Sequence, residues 1–262
     1  MVTTGRTYGI LGVGSLATAV VTGLCDGVDD PPAVLLSPRN AETSAALASR
    51  FLTVTVAADN QAVVDGSDLV VVCLRRVHAD VLATLDWRAE QAVTSAVAGL
   101  PLAHLAGMVA PAAEVSRSVA MVTVATRSSV TPVHPPLPGV TALYDRLGGT
   151  MPIEDGDQFE AIFTAMGTVA PFYEYLGVLA GFLGDHGIPS GAAQKLVADT
   201  FLSVQSGLAA SEEPDFGELV SEHAPPGGGN AQLTALMREA GVFDGMARSI
   251  ETLHRRLASG GA

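Results

Sequence analysis

Along residues 8–124 short apolar runs alternate with amphipathic stretches. The runs are Tyr8–Leu11, Ala33–Leu36, Phe51–Val56, Asp68–Leu74 and Val93–Ala98, with a sixth candidate around Val115–Val124. Between them Ser15–Cys25, Ala41–Arg50, Gln61–Asp65, Ala79–Leu85 and Leu102–Val109 carry the 3.6-residue period of helices. Strands that alternate with helices predict a parallel sheet covered on both faces. Such strands must be apolar throughout, and Leu69-Val70-Val71-Val72-Cys73-Leu74 is. Beyond the acidic, Pro/Gly-containing stretch Met151–Asp157 the strand pattern stops. Helical patterns follow over Gln158–His186, Ser190–Ser211, Asp215–His223, Asn230–Ala240 and Phe243–Leu257. A helix as apolar on most sides as the first of these needs cover, in a bundle or from a partner chain. A homodimer through the helical half, with higher assembly possible, is the expectation.

The turn after the first run is the strongest local signal. Gly12-Val13-Gly14-Ser15-Leu16-Ala17 follows a strand and opens a helix, the G-x-G-x-x-A order of a dinucleotide site. Gly12 permits the turn, Gly14 lets backbone approach a pyrophosphate, and Ala17 lets helix and strand pack closely. The N–H groups of Ser15, Leu16 and Ala17 open a helix, where the dipole favours an anion. The fold class predicted is therefore α/β: an N-terminal Rossmann-type doubly wound parallel sheet over residues 1–152, then an all-helical dimerisation and substrate domain over residues 153–262.

Charge narrows the ligands. The 262 residues carry a net charge of −13, which argues against nucleic acid, since that needs clustered Lys and Arg. An anionic cofactor must then be held by local donors. After the second strand come Ser37-Pro38-Arg39-Asn40. An NAD site usually places Asp or Glu here, whereas hydroxyls and Arg suit the 2′-phosphate of NADP. NADPH is thus preferred over NADH, with Asn40 alternatively a plain helix N-cap. The two cysteines, Cys25 and Cys73, are expected to be reduced and packed, which fits the cytoplasm. No basic leader with a long apolar run opens the chain, and no uninterrupted apolar run reaches about 18 residues, so neither a secretory signal nor a membrane span is expected. The tail Ser259–Ala262 is expected to fray.

The chain resembles the pyrroline-5-carboxylate reductase family nearly end to end. Gly12–Ala17 is similar to its nucleotide loop and Ser37–Asn40 to its stretch after strand two. Asn60 resembles an asparagine near the adenine ribose. Val93–Gly99 is similar to a strand ending in Ala-Gly, here Ala98-Gly99. Thr164-Ala165-Met166-Gly167-Thr168-Val169-Ala170-Pro171-Phe172-Tyr173 resembles its T-A-L-S-G-S-G-P-A-Y helix. Pro225–Asn230 resembles its S-P-G-G-T-T loop. The resemblance implies a dinucleotide-binding domain, an interlocked helical dimer and a role in proline biosynthesis. It also implies that Leu74 and the Arg75-Arg76 pair, the pair standing where the family has K-P, pass the cofactor. The departures are concentrated on the substrate side. The R-V-M-P-N-T-P stretch becomes Arg117–Thr123, keeping only the Arg, the serines of S-G-S-G become Gly167 and Val169, and the two threonines become Gly229 and Asn230.

Candidate chemistry follows from both. Gly227, Gly228 and Gly229 lead into a helix at Asn230, a carboxylate site on first principles. The Asn230 amide is expected to replace a lost hydroxyl. Thr164, Thr168 and Tyr173 are the candidates to hydrogen-bond an imine nitrogen, with His223 as general acid if the substrate is a carbonyl. His134, in Pro132–Pro136, is expected in a rigid loop. His78, His104, His186 and His254 stand singly without metal-ligand spacing, so no metal is expected. Ser15 is in the wrong motif for a nucleophile elbow. The expected reaction is hydride transfer from NADPH to the C=N of 1-pyrroline-5-carboxylate. Alternatives are another imine or keto acid on the same fold, or a catalytically silent NADP-binding dimer.

Overall fold

A computed structural model describes residues 5–208 and 213–258. Both the frayed tail expected at 259–262 and the last three residues of the Ser190–Ser211 pattern lie outside the described residues. The first part is an eight-stranded sheet in the order β3-β2-β1-β4-β5-β6-β7-β8. Its strands are β1 (Tyr8–Leu11), β2 (Val34–Leu36), β3 (Val54–Val56), β4 (Leu69–Val72), β5 (Ala92–Ser95), β6 (Glu114–Ser118), β7 (Thr131–His134) and β8 (Thr150–Pro152). Strands β1 to β6 are parallel, while β7 runs antiparallel to β6 and parallel to β8. The chain order reverses between β1 and β4, so the crevice of a doubly wound sheet opens at their carboxyl ends.

Helices α1 (Ser15–Cys25), α2 (Ala41–Arg50), α3 (Asn60–Asp65), α4 (Leu102–Met108) and α5 (Pro138–Asp145) flank the sheet. Two 3-10 turns, Arg76–Thr84 and Val122–Thr126, complete the connections. Burial forms two clusters, as two covered faces require. One gathers Ile10, Val20, Leu24, Val71 and Leu143, and the other Leu11, Val70, Val72, Leu82 and Trp87. Adjacent strand residues thus serve opposite faces, the period of two expected of a sheet. Helix α1 lies close to the second 3-10 turn because Gly23 has no side chain: a Cβ there would collide with the Val124 carbonyl oxygen.

The structure differs from the sequence reading around residues 76–152. The expected helix Ala79–Leu85 is the 3-10 turn, and the sixth apolar run ends at Ser118, its remainder forming the second 3-10 turn. His134 closes β7 instead of sitting in a rigid loop, and its Nδ1 lies 2.9 Å from the Ile153 carbonyl oxygen. Proline hid this strand, because it gives the ladder no N–H and is confined to sheet margins. Strand β8, only three residues long, lies at the sheet's edge and ends at Pro152.

The chain divides into two compact units between Phe163 and Thr164, with the end of the last helix from Arg256 counted with the first. The acidic stretch 151–157 therefore runs from the edge strand through a short connection into the start of α6 (Gly156–Met166), which the first unit includes as far as Phe163. The reason is aromatic: Phe159 is wholly buried, and the Arg117 guanidinium stacks 4.9 Å from its ring and 5.5 Å from that of Phe163.

The second unit is helical: α7 (Val169–Asp185), α8 (Ser190–Leu208), α9 (Phe216–His223), α10 (Gly229–Glu239) and α11 (Val242–Ala258). The pattern Gln158–His186 read as one helix is two, broken at Gly167-Thr168. Pro171 has no N–H to give the residue four back, so it fits only in the first turn of a new helix. By length and composition Gly156–Asp185 is apolar enough to cross a membrane, although it is not an uninterrupted apolar run, since Glu160 and Glu174 stand within it. The break leaves helices of 11 and 17 residues. Phe201 of α8 meets Phe172 and Tyr175 of α7 edge-on, at 5.9 and 5.7 Å.

Candidate functional site

The glycine turn sits at the switch point. Gly12 has φ of +90°, and a Cβ there would fall 2.8 Å from the Cys73 carbonyl oxygen at the end of β4. Gly12 is thus required by both backbone conformation and the close passage of β4. Nothing lies within 4 Å of a Cβ built on Gly14, so the space above the turn is open to a ligand. Gly14 is the N-cap of α1, and its carbonyl accepts the first helical bond from Thr18 N–H at 2.9 Å. The N–H groups of Ser15, Leu16 and Ala17 precede that bond, and no acidic residue stands in the first turn. Ala17 is fully buried, as close packing of α1 on the sheet requires.

Two side chains from the end of β2 brace the turn. Ser37, 2% exposed, accepts the Gly12 N–H on its Oγ at 3.0 Å. Asn40 donates its side-chain amide to the Val13 carbonyl at 2.8 Å. It occupies the N-cap position of α2 without a side-chain capping bond, so its amide serves the turn and not the helix. Both were candidates for direct cofactor contact; each has a prior engagement in shaping the loop. Arg39 between them is exposed, and its Nη2 lies 3.3 Å from His78 Nε2. Gly14, Ser15, Thr18, Asn40, Thr43 and Val122 line a groove of about 570 Å³ beside the turn.

The other cofactor candidates occupy the same carboxyl edge of the parallel strands. Leu74, Arg75 and Arg76 follow β4, and Ala98 and Gly99 follow β5. Arg76 reaches Asp80 at 3.8 Å, while Arg75 is exposed. Asn60 opens α3 next to its N-cap Asp59, whose carboxylate accepts the Ala62 N–H at 2.8 Å.

In the second unit the glycine loop enters α10 as expected. Gly227 has φ of +80°, and Gly228 is the N-cap. Asn230 donates its side-chain amide to the His223 carbonyl at 3.0 Å, and Gln232 donates to the Gly227 carbonyl at 3.1 Å. His223 and Asn230 are therefore brought together, but the Asn230 amide already closes the loop. The His223 ring is turned to its own helix, with Nδ1 2.9 Å from the Leu219 carbonyl oxygen. Thr164 is 2% exposed, and its Oγ1 lies 3.3 Å from His254 Nδ1. Thr168 donates to the Ala165 carbonyl at 2.9 Å, the back-bond that helical hydroxyls favour. Tyr173 is 66% exposed on α7.

Several residues escaped the sequence reading. His78 pairs with Arg39 and His254 with Thr164, although neither has a spacing that marks it. A buried chain runs from Thr94 through Ser118 to Tyr144, at 3.3 and 2.7 Å. Burial pushes the Tyr144 hydroxyl well above the ordinary tyrosine value, although Ser118 opposes the shift. Arg117 is 3% exposed and forms an ion pair with Glu160 of α6. It holds α6 to β6, which accounts for the one residue kept from the resembled motif. Among the described residues no three His, Cys, Asp or Glu side chains group as metal ligands.

Comparison with known proteins agrees with this geometry. Residues 7–99, from β1 past the end of β5, match the family model described as "NADP oxidoreductase coenzyme F420-dependent". No curated protein matches the chain. The structure is similar to 1-pyrroline-5-carboxylate reductase from Streptococcus pyogenes, with TM-score 0.77 and 25% identity over 97% of this chain and 98% of that one. The chain has the pyrroline-5-carboxylate reductase fold. The Coxiella burnetii pyrroline-5-carboxylate reductase superposes with TM-score 0.79 at 17% identity, covering 99% of each chain. The Plasmodium falciparum pyrroline carboxylate reductase, solved with NADP bound, gives TM-score 0.76 at 14% identity, covering 98% of this chain and 99% of that one. Both units fall inside these matches, so the divergence lies in residues, not in architecture.

Proposed function

We propose that this chain is an NADPH-dependent reductase of a small cyclic imine carboxylate, with 1-pyrroline-5-carboxylate as the first substrate to test. The observation that carries the reading is the glycine turn: α1 opens on free N–H groups, the space over Gly14 is empty, and Arg39, Arg75 and Arg76 stand on the same strand edge. That donor set suits a pyrophosphate and a further phosphate in a chain of net charge −13. Ser15, Leu16 and Ala17 would hold the pyrophosphate through backbone N–H, while Ala98 and Gly99 would border the nicotinamide half. Bound there, the dinucleotide supplies a hydride to the imine carbon, and a proton on nitrogen completes the amine.

The protein's task is alignment. The loop Gly227–Asn230 would take the substrate carboxylate on backbone N–H groups at the entry to α10. Thr168 and Tyr173 carry hydroxyls suited to the imine nitrogen, and Thr164 would need to exchange its His254 partner to join them. A homodimer through the helical unit accompanies this reading. It is supported by apolar side chains left in solvent, among them Val178, Phe182 and Leu202 at 69, 61 and 62% exposure. A cytoplasmic location is proposed on the two free cysteines.

NADPH consumption with 1-pyrroline-5-carboxylate, run beside NADH, tests the reading. Turnover on the order of 1–10³ s⁻¹ would establish it. A second reading is favoured by specific residues: Ala120-Met121, just before the 3-10 turn Val122–Thr126, stand where the resembled family has Pro-Asn, and the Asn230 amide is engaged with His223. On that reading the same fold reduces a different imine or a keto acid, or binds NADP without turnover. NADPH binding without consumption of pyrroline carboxylate would favour it, and a substrate panel would separate its branches.

A further inference from the structure

Two side chains from different crossovers meet above the β1/β4 switch point. Arg39 lies in the loop from β2 to α2, and His78 lies in the 3-10 turn after β4. The His78 N–H donates to the Arg75 carbonyl at 2.9 Å, which fixes the ring's starting point beside the Arg75-Arg76 pair. The Arg39 Nη2 to His78 Nε2 distance is 3.3 Å. A guanidinium only donates, so the imidazole nitrogen facing it is the acceptor of this pairing. Among the described residues Arg39 forms no ion pair, and Asp80, the acid on His78's own turn, is drawn to Arg76 at 3.8 Å. The pair is thus a guanidinium donor and an imidazole acceptor, with no carboxylate between them.

We infer that His78 is a specificity residue of this site: with Arg39 it forms a two-donor clamp for a dianionic phosphate monoester on the adenosine ribose. This rests on the dinucleotide reading of the glycine turn and adds a residue to it. The dianion replaces the imidazole as the guanidinium's partner. The imidazole can carry its N–H on either ring nitrogen, so a change of tautomer turns the nitrogen that accepted from Arg39 into a donor to the phosphate. Ser37 and Asn40 brace the turn, so discrimination between phosphorylated and plain ribose falls to Arg39 and His78. The adjacent Arg75 extends the cationic rim.

The test is calorimetric titration of the intact protein with NADP⁺ and with NAD⁺, for the wild type, His78→Ala, Arg39→Ala and the double variant. The wild type is expected to bind NADP⁺ more tightly. His78→Ala is expected to weaken NADP⁺ about tenfold, the scale of one charge-assisted hydrogen bond, while NAD⁺ stays within about twofold. NAD⁺ binding also reports that each variant is folded. In the Arg39→Ala background, removing His78 is expected to weaken NADP⁺ further. An unchanged NADP⁺ to NAD⁺ ratio in His78→Ala overturns the clamp, as does a loss seen only when Arg39 is present, since that makes His78 a mere support for the arginine. A wild type that binds both dinucleotides equally overturns the clamp and leaves the dinucleotide site standing. Binding of neither removes the dinucleotide reading, and the clamp with it.

Discussion

The two units are both rich in apolar residues but use them differently. In the first, strands and helices close over one another, and Ile10, Val20, Leu69, Val71 and Leu82 are wholly buried. In the second, α7 has no buried residue, while Tyr173, Val178 and Phe182 are 66, 69 and 61% exposed. An apolar stripe drives association with whatever covers it. The sheet supplies that cover within the chain; helices of the second unit leave theirs to another surface. The same contrast separates the two glycine loops. The one before α1 is braced by Ser37 and Asn40 from a neighbouring strand's end. The one before α10 is braced by Asn230 and Gln232 from its own helix and by the preceding one. The turn proposed for the nucleotide thus rests on tertiary scaffolding, whereas the loop proposed for the substrate is locally built.

That contrast can be broken at its most buried point. Arg117→Ala should cost about 2–3 kcal/mol in urea unfolding, because it breaks the ion pair with Glu160 and removes the cation between two phenylalanines. A loss below about 1 kcal/mol would show that α6 does not depend on this pin. Gly12→Ala comes next. The left-handed φ alone costs about 1–3 kcal/mol, and the contact with the Cys73 carbonyl adds to it. NADP⁺ titration of a variant that stays folded should show binding lost; retained affinity would remove the turn from the site.

Alkaline pH sharpens the same difference. Burial pushes the Cys73 thiol from 9.0 up to about 12. The folded chain therefore keeps a proton that the unfolded chain releases first. Stability from this group is fully present below pH 9 and is lost as pH rises towards 12, by about 1.4 kcal/mol per pH unit. Cys73→Val should flatten that slope in melts between pH 8 and 10; an unchanged slope would assign it to other groups. The smallest effect on chain stability belongs to the second unit. Val178→Asp with Phe182→Asp should change unfolding of the single chain by about 0.5 kcal/mol or less per site. In light scattering the pair should convert a dimer to single chains, and a wild type already monomeric would refute the proposed interface.

Much of the nucleotide half was legible. Tyr8–Leu11, Gly12–Ala17 and Ser15–Cys25 were readable because apolar period, glycine spacing and helix start agree over one short segment. Residues 119–152 were not, since Pro132, Pro135 and Pro138 mimic a loop while serving a strand end and a helix start. Likewise Gly167-Thr168 was hidden inside a continuous apolar pattern. At the site, residue types at the right strand ends identified Ser37, Arg39 and Asn40 as candidates, but their division of labour was not readable. A hydrogen bond from Gly12 to Ser37 depends on how two strand ends approach, and spacing along the chain does not encode that.

By itself the sequence determined what local chemistry dictates: alternating strands and helices, a glycine turn opening a helix, and a helical second half. Only the tertiary structure decided which side chains meet. It paired Arg39 with His78 and Arg117 with Glu160, and it turned the amides of Asn40 and Asn230 inward to brace their loops. The physical reason is range. Propensity and periodicity act over a few residues, whereas these contacts join positions up to 43 apart, and only packing of the folded chain brings such positions within hydrogen-bond reach.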